Sequence, residues 1–290
     1  MIEEVVIRPP SEADSLLLKV AYGCSHNKCS FCGAYRGMDF MVKDPARVFA
    51  EIEAAARGPF PPPRRVFLAD GNAFCLGAGE LSRVLDKLAL EVPGLQRVSA
   101  YANAADILSK TPAELEALRA KKLSLLYLGL ESGDDEVLRR VAKGADSARM
   151  IEAVVRAQAA GIKASVIALL GLAGRGPASP RHAEATGRAV SRMNPRFFSC
   201  LTLMLLENTP LGRAFERGEF ELVTPEESLR ELRLIVEHLE VRGTVFRADH
   251  ASNYLPIGGT LPKDKAKVLA AIDACLRGET GMRPESLRGL

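Results

Sequence analysis

Three cysteines within nine residues are the strongest chemical feature of the sequence. Cys24, Cys29 and Cys32 lie in the segment Gly-Cys-Ser-His-Asn-Lys-Cys-Ser-Phe-Cys-Gly, directly after an apolar run that predicts the first strand. Three thiolates in one loop can bind a compact soft-metal centre, and no fourth cysteine lies nearby. On a four-iron cluster, three thiolates leave one iron open to an outside ligand. An open coordination site is typical of catalytic rather than structural metal centres.

Other interpretations of this loop remain open. One is a zinc site with His26 as the fourth ligand, although structural zinc sites usually have two ligand pairs separated by a longer loop. Another is a structural or incidental group of cysteines. Clustered cysteines indicate a metal site in a reducing compartment rather than a disulfide framework, which predicts a cytoplasmic protein. The isolated Cys75, Cys200 and Cys275 are expected to be small buried hydrophobic residues.

Composition excludes several classes of protein. The 290 residues include 39 Lys and Arg against 36 Asp and Glu, which is too even for a nucleic-acid-binding surface. Trp is absent and aromatic residues make up 6%, which argues against a platform for stacking bases. The longest apolar stretch, 164–173, is about half the length of a membrane span. The acidic start Met-Ile-Glu-Glu argues against a secretory signal.

Strand and helix patterns alternate along the first two thirds of the chain. The strands are continuously apolar, as in sheets covered on both faces. Asp44-Pro45 and Thr111-Pro112 place a capping residue before a proline at the first helical position. The predicted strands are Leu16–Tyr22, Val66–Ala69, Arg97–Tyr101, Leu125–Leu130, Ala164–Leu170 and Arg196–Met204, with helices at about 45–57, 79–90, 112–121, 147–160 and 181–192.

Six such units predict an α/β fold with a parallel sheet, because a full barrel requires eight. We therefore expect a partial (β/α)6 TIM-like barrel over residues 1–205, interrupted by a short linker at Pro59–Pro63. Residues 206–290 predict a C-terminal helical extension that covers the barrel. This extension contains a short helix from Pro210, helices at Pro225–Val241 and Leu261–Leu276, and a polar segment at 247–254.

The motifs resemble those of the radical S-adenosylmethionine (SAM) enzymes. Their cysteine loop usually reads C-x3-C-x2-C with an aromatic residue before the last cysteine; this chain has C-x4-C-x2-C with Phe31 at that position. The segment 129–138, continuing to Lys143-Gly144, is similar to the corresponding segment of oxygen-independent coproporphyrinogen oxidases and tRNA methylthiotransferases. The strand ending at Leu170, followed by Gly-Leu-Ala-Gly, resembles the fifth strand of that branch. The resemblance covers roughly residues 16–205.

The resemblance implies a role for residues at the strand ends. Cys24, Cys29 and Cys32 would bind a 4Fe-4S cluster, whose fourth iron is chelated by SAM. The backbone around Phe31 would flank the adenine. Other cofactor-binding residues are implied by position: Asp70 and Asn72 toward the SAM amino group, Glu131 and Ser132 toward the ribose and methionyl part, Lys143 toward the carboxylate, and Val166, Ile167 and Leu169 toward the adenine.

Each of these assignments has a simpler alternative. Ser132 is also suited to capping the next helix, Lys143 to a solvated helix end, and Asp70 to an ordinary turn. Tyr101 shares one face of its predicted strand with Ser99 and Asn103, so these residues either line the cavity or mark a polar strand end.

A polar segment in the extension supplies candidate catalytic residues. His250, Asn253 and Tyr254 lie among turn-forming residues. Buried polar groups need partners, so we expect this segment to fold over the barrel mouth, where a substrate supplies those partners. The alternative is an ordinary polar connector between helices.

Taken with the resemblance, the sequence predicts an oxygen-sensitive radical SAM enzyme. A flavodoxin or ferredoxin would reduce the cluster, SAM would be cleaved to methionine and a 5′-deoxyadenosyl radical, and the radical would abstract hydrogen from the substrate. A small-molecule substrate is favoured over a macromolecule, and no membrane or nucleic-acid partner is expected. The alternatives are a non-catalytic haem or cluster carrier on the same fold and a zinc-binding module.

Overall fold

The computed structural model of the chain describes residues 7–58 and 63–289. The acidic start 1–4 and most of the predicted linker, residues 59–62, lie outside the described residues. The strands are β1 Leu16–Lys19, β2 Ala21–Tyr22, β3 Met41–Val42, β4 Arg65–Ala69, β5 Arg97–Tyr101, β6 Leu123–Glu131, β7 Lys163–Leu170, β8 Phe197–Thr202, β9 Thr244–Ala248 and β10 Ile257–Leu261.

Several helices begin where the capping residues predict. The side chains of Asp44, Thr111 and Thr224 each accept a hydrogen bond from a backbone N–H of the first turn, and each is followed by proline. The helices are α1 Pro45–Arg57, α2 Ala78–Glu91, α3 Ala104–Leu108, α4 Pro112–Ala120, α5 Asp135–Arg140, α6 Ser147–Ala159, α7 Ala178–Met193, α8 Pro210–Glu216, α9 Pro225–Glu237 and α10 Lys265–Leu276.

The chain divides into two compact units. The first comprises the described residues of 1–27, 34–128 and 153–164. In it β1, β4, β5 and β6 are neighbours in that order and run parallel, while β2 and β3 form a separate antiparallel pair. Its core includes the fully buried Phe67 and Leu85. This arrangement brings the carboxyl ends of β1, β4 and β5 to one edge of the sheet.

The second unit comprises the described residues of 28–33, 129–152 and 165–290. Here β7, β8 and β9 run parallel, and β10 pairs antiparallel with β9. A core cluster lies beside these strands; it consists of Val137, Val141, Leu172, Ala173, Leu203, Leu211 and Phe220. The α/β class with a mostly parallel sheet is therefore confirmed.

The extension is not entirely helical, which corrects the prediction. The helices near 210, 225–237 and 265–276 are present, but β9 and β10 lie between the last two. β9 alternates buried and more exposed residues, and its Phe246 packs against Phe198 of β8 at 5.9 Å between ring centroids. Gly258 and Gly259 lie within β10, where added Cβ atoms would meet Phe246 O at 2.9 Å and Asp264 Cβ at 2.7 Å. The predicted domain division at 205 stays a prediction.

Among the described residues, no helix combines the length and the apolar character that a membrane span requires.

Candidate functional site

Cys24 lies in the first unit, just after β2, and packs against the turn that follows β4. The N–H of Gly71 donates to Gly23 O at 3.1 Å, and the N–H of Gly23 donates to Asp70 Oδ2 at 3.3 Å. A Cβ on Gly71 would lie 2.5 Å from the Cβ of Cys24. Only glycine therefore allows the cysteine loop to approach this turn so closely.

Asp70 occupies a strained position at the end of β4. Its φ of +73° lies in the left-handed region, which is rare for residues other than glycine. The side chain is buried, and its Oδ1 lies 3.5 Å from Lys19 Nζ. Strained residues persist only where their surroundings hold them, and they concentrate at functional sites. In this unit the Asp70 carboxylate contacts the backbone that precedes Cys24; its predicted contact with SAM stays a prediction.

Asn72, two residues after Asp70, is buried, and its side-chain amide makes several hydrogen bonds. Its Nδ2 donates to Ser25 Oγ at 2.7 Å and to Asp106 Oδ2 at 2.6 Å. Its Oδ1 accepts the N–H of Asn103 at 3.2 Å. The amide thus connects the cysteine loop to the start of α3 and brings the Asp106 carboxylate beside it. Sequence reasoning missed Asp106, because α3 is a five-residue helix without a periodic apolar pattern.

Cys75 lies in the same neighbourhood, in a short 3₁₀ turn at Ala73–Cys75. Burial, with the Asp106 carboxylate as the next contribution, raises the pKa of its thiol to about 11. Cys200 and Cys275 are buried, as predicted, whereas Cys75 is only partly buried. A protonated, partly buried thiol is a poor metal ligand, since the thiolate is the form that binds metals.

Cys29 and Cys32 lie in the second unit. The N–H of Cys32 donates to Cys29 O at 3.3 Å, which closes the turn between them. The intervening Ser30 donates its N–H to Val141 O and accepts the N–H of Leu211, both at 2.9 Å. These two backbone bonds attach the turn to the end of α5 and to the start of α8.

Phe31 and Gly33 complete the attachment of this turn. The Phe31 ring is partly buried and packs against the core cluster of the second unit. Asn208 Nδ2 donates to Gly33 O at 3.1 Å, and a Cβ on Gly33 would collide with the Asn208 side chain. The predicted contact between the Phe31 backbone and adenine stays a prediction.

The donor set fits a soft-metal cluster. All six cysteines are free, and the three of the loop have intermediate exposure. Within 7–58 and 63–289, no three His, Cys, Asp or Glu side chains are arranged to hold a single metal ion. An iron-sulfur cluster binds its thiolates on separate irons, so it does not require ligands that converge on one point.

Glu131 ends β6 in a second strained turn. Its φ is +63°, and the N–H of Ser132 donates back to Leu130 O at 2.8 Å, which is the hydrogen bond of a three-residue turn. Lys143 Nζ lies 2.9 Å from Glu131 Oε1, and both side chains are 11% exposed. A Cβ on Gly129 would collide with the Glu131 carboxylate and lie 3.0 Å from Lys143 Nζ. The two residues predicted to contact SAM thus form one nearly buried ion pair.

Ser132 lies behind this ion pair. Its side chain is fully buried; Oγ lies 2.7 Å from His182 Nδ1 and accepts the N–H of Asp134 at 3.0 Å. Asp134, not Ser132, caps α5, because its side chain accepts two backbone N–H groups of the first turn. The hydroxyl is therefore engaged inside the protein, and its predicted contact with SAM stays a prediction.

Of the three residues predicted to face the adenine, Ile167 and Leu169 share the more accessible face of β7, whereas Val166 lies on the opposite, buried face, which corrects that part of the prediction. Ile167 and Leu169 have intermediate exposure, whereas Val166, Ala168 and Leu170 are buried. This alternation follows from the two-residue period of a strand. It agrees with a cavity-lining role for Ile167 and Leu169, which remains to be tested.

Tyr101 ends β5 within an aromatic group. Its ring packs edge to face on Phe67 at 5.1 Å and lies 6.0 Å from Tyr127. Burial, and then the Glu12 carboxylate, raise the pKa of the Tyr101 hydroxyl. Its role as a cofactor-binding residue stays a prediction.

The segment from His250 to Tyr254 finds its partners within the protein. Asn253 is buried and donates to Cys200 O at 2.8 Å, while its Oδ1 accepts from Thr202 Oγ1 at 2.9 Å. Tyr254 OH donates to Glu285 at 2.9 Å. For Asn253 and Tyr254 the protein itself, rather than a substrate, supplies the partners that the sequence analysis assigned to a substrate.

His250 is less enclosed than these two residues. The N–H of Ser252 donates to His250 Nδ1 at 3.1 Å, so in the neutral ring the proton lies on Nε2. Burial lowers the pKa of His250, against the nearby Asp249 carboxylate. A neutral imidazole with a protonated Nε2 can donate a hydrogen bond to a ligand. The catalytic roles predicted for His250, Asn253 and Tyr254 remain untested.

Comparison with known proteins places these features in a family. The family model described as the Radical SAM superfamily matches residues 18–183, more than half of the chain. No curated protein matches the chain significantly.

Solved structures share the fold at low identity. Coproporphyrinogen III oxidase (HemN) from Escherichia coli is 19% identical with a TM-score of 0.57, over 77% of this chain and 51% of that one. Methylornithine synthase (PylB) is 18% identical with a TM-score of 0.54, over 79% and 64%. The methyltransferase TsrM from Kitasatospora setae is 19% identical with a TM-score of 0.55, over 68% and 38%. The chain thus spans less than two thirds of each relative, and the likeness supports the partial TIM-like barrel.

Proposed function

The chain belongs to the radical SAM superfamily, and on that premise we propose that it cleaves SAM reductively to generate a radical that abstracts hydrogen from a small-molecule substrate. Members of this superfamily are enzymes whose cofactors are a 4Fe-4S cluster and SAM, and this chain is one of them. The substrate, the residues that hold the cofactors and the electron donor belong to the proposal.

We assign the cluster to Cys24, Cys29 and Cys32. When bound, the cluster supplies the electron that cleaves SAM to methionine and a 5′-deoxyadenosyl radical. The residues of the chain bind and orient the reactants and exclude water and oxygen. Close contacts at Gly71 and Gly33, where a Cβ atom would collide with its neighbours, support this assignment. Each contact holds part of the cysteine loop against its own unit.

Two polar groups are proposed to hold the charged end of SAM. Lys143 offers an ammonium to the SAM carboxylate, and Glu131 offers a carboxylate to the SAM ribose or amino group. Their 2.9 Å ion pair at 11% exposure supports this proposal, since a nearly buried pair is costly to form without a compensating role. In the first unit Asp70 and Asn72 retain their proposed role toward the SAM amino group, joined by the Asp106 carboxylate.

Apolar contacts to the adenine are proposed for Phe31, Ile167 and Leu169, and cavity lining for Tyr101. Ser132, which is buried next to Glu131, is proposed to support the position of Glu131. For the substrate we propose His250 as a hydrogen-bond donor. Asn253 and Tyr254 hold in place the segment of residues 206–290 that contains His250. A flavodoxin or ferredoxin is the proposed reductant, and a cytoplasmic location follows from three free clustered thiols, which need a reducing compartment.

The single observation that carries the proposal is the three-thiol loop followed at β6 by the Glu131–Lys143 pair. Its test is anaerobic reconstitution of Cys29→Ala and, as the matched control, Cys200→Ala, which removes a fully buried thiol. We expect the wild type and Cys200→Ala to bind about four irons and to release 5′-deoxyadenosine after reduction. Cys29→Ala should lose both.

Equal iron loss in the two variants would contradict the ligand assignment. Iron binding by the wild type without 5′-deoxyadenosine would favour the non-catalytic cluster carrier, and stoichiometric zinc in place of iron would favour the zinc-binding module.

A further inference from the structure

A buried polar chain lies behind the turn that presents Glu131. It starts at Ser132, passes through His182 of α7 and ends at Glu231 of α9. The three side chains are between 0% and 1% exposed. Buried polar groups are usually hydrogen-bonded; among the described residues, Ser132 and the Glu231 carboxylate have such partners, and His182 has one at Nδ1 but none at Nε2.

The hydrogen bonds of Ser132 determine the tautomer of His182. Ser132 Oγ already accepts the N–H of Asp134 at 3.0 Å, and its own proton must find an acceptor because the residue is buried. That acceptor is His182 Nδ1 at 2.7 Å. Nδ1 is therefore unprotonated, and the proton of the ring lies on Nε2. Burial lowers the pKa of His182 to about 4, which keeps the ring neutral.

The other side of the ring meets β7 and α9. His182 Nε2 lies 4.0 Å from Glu231 Oε2, which is beyond hydrogen-bond distance. The Glu231 carboxylate accepts the N–H of Gly171 and the hydroxyl of Ser179, both at 2.6 Å. Gly171 ends β7 with a φ of +80°. Glu231 thus holds the end of β7 through Gly171 and lies beside the His182 ring without a hydrogen bond to it.

The turn at Glu131 needs this support. A non-glycine residue at a φ of +63° is strained, and such strain persists only when the surroundings over-determine the conformation. The neighbouring Gly133 donates its N–H to Thr186 Oγ1 at 2.9 Å, and a Cβ on Gly133 would collide with the backbone of Ala185. α7 therefore packs against the turn at Ser132 and Gly133.

We propose that His182 is a positioning residue that holds Ser132 and thereby the strained turn that presents Glu131 to SAM. The inference rests on the proposed function for the SAM contact of Glu131. The positioning itself rests only on the contacts within the second unit. Sequence reasoning could not supply Glu231, which lies about 100 residues beyond the turn in a helix whose pattern indicates an ordinary amphipathic element.

The test compares His182→Leu with His182→Asn. The asparagine side chain offers an oxygen in place of Nδ1, whereas leucine offers no acceptor. Two quantities are measured: hydrogen exchange of the Asp134 amide in the full chain without SAM, and SAM affinity of the cluster-loaded protein without reductant. We expect His182→Leu to speed exchange and to weaken SAM binding, each about tenfold, as for one lost buried hydrogen bond. His182→Asn should lie within about threefold of the wild type, with iron content unchanged in both.

Ser132→Ala keeps the test decisive if His182→Leu does not fold. It removes the acceptor of the Asp134 N–H while adding no volume, and should reproduce both effects. In a folded double variant the effects should not exceed those of either single change, because both remove one interaction.

The outcomes separate this inference from the proposed function. Unchanged Asp134 exchange in His182→Leu or Ser132→Ala would overturn the positioning role. Faster exchange with unchanged SAM affinity would also overturn it, provided that Glu131→Gln weakens SAM binding. If Glu131→Gln itself binds SAM as the wild type does, the SAM role of Glu131 fails, while faster exchange still supports the positioning of the turn.

Discussion

The turn after β4 and the turn that ends β6 use the same backbone device in two different units. Each places an acidic residue in the left-handed region, at φ +73° for Asp70 and +63° for Glu131. Each acid lies near a lysine, at 3.5 Å from Lys19 and 2.9 Å from Lys143. Each turn also has a neighbouring glycine whose added Cβ would collide with the functional side chain.

The two turns differ in the groups with which a Cβ added to the glycine would collide. At Gly71 an added Cβ would meet the Cβ of Cys24 and the ring of Tyr35, which are groups that cannot move without the backbone or the core. At Gly129 it would meet the ends of the Glu131 and Lys143 side chains, which can rotate away. The first turn therefore holds the cysteine loop in place, and the second holds a pair of charges.

The largest effect is expected from Gly71→Ala. The added methyl at 2.5 Å from Cys24 Cβ and 2.7 Å from the Tyr35 ring overpacks a closely packed site. Such changes destabilise a protein by about 1–3 kcal/mol. Denaturation should show this loss, and anaerobic reconstitution should show less iron per chain. Gly94→Ala is the matched control, because a Cβ there meets nothing within 4 Å. Wild-type iron content in Gly71→Ala would refute the role assigned to the first turn.

A different outcome is expected from Gly129→Ala and Lys143→Ala. Both disturb the ion pair without touching the cysteine loop, so iron content should be unchanged. Loss of one charge-assisted hydrogen bond costs ~1.5–3 kcal/mol, which corresponds to roughly 10- to 150-fold in SAM affinity. Lys163→Ala, at an exposed position in β7, is the control for Lys143→Ala. If Gly129→Ala loses iron as Gly71→Ala does, the two turns do not have the separate roles proposed for them.

The sequence predicted the residues of both turns but not their support. Cysteine spacing located Cys24, and the resemblance to radical SAM enzymes located Asp70, Glu131 and Lys143, because these signals lie within short stretches of chain. The partners that hold them, Asp106 and Glu231, come from distant elements, and a buried acid on a helix has no local pattern that distinguishes it. β9 was missed for a related reason: five residues with mixed polarity form a strand only because β8 offers a free edge and Phe198 a packing surface.

Titration should distinguish the two turns, because their supports differ in chemistry. At the first turn the Asn72 amide, which does not titrate, donates hydrogen bonds to Ser25 and to the Asp106 carboxylate. The second turn is supported by Glu231 and His182, which do titrate. Around Glu231 lie His182 at 4.0 Å on α7, the hydroxyl of Ser179, the N–H of Gly171 and, on its own helix, Glu227.

The expected effect, the smallest of the set, is a change in how the free energy of unfolding varies with pH. Burial raises the pKa of Glu231 from 4.5 to about 7, so its contribution to stability is full below pH 4.5 and is lost as pH rises through 7. Burial lowers the pKa of His182 from 6.5 to about 4, so its contribution is full above pH 6.5 and is lost as pH falls through 4. In the wild type the two contributions oppose each other over most of this range.

Glu231→Gln removes one of these contributions and keeps an acceptor for Gly171. Its stability should rise with pH from 4 to 6.5 more steeply than that of the wild type and should not fall between 6.5 and 7. The gain relative to the wild type at pH 8 is at most a few kcal/mol, because one unit of pKa corresponds to about 1.4 kcal/mol. Urea denaturation at several pH values measures it, with Glu116→Gln at an exposed position of α4 as the control. Parallel pH profiles of Glu231→Gln and the wild type would mean that the second turn is supported without a titrating pair, and would remove this difference between the two turns.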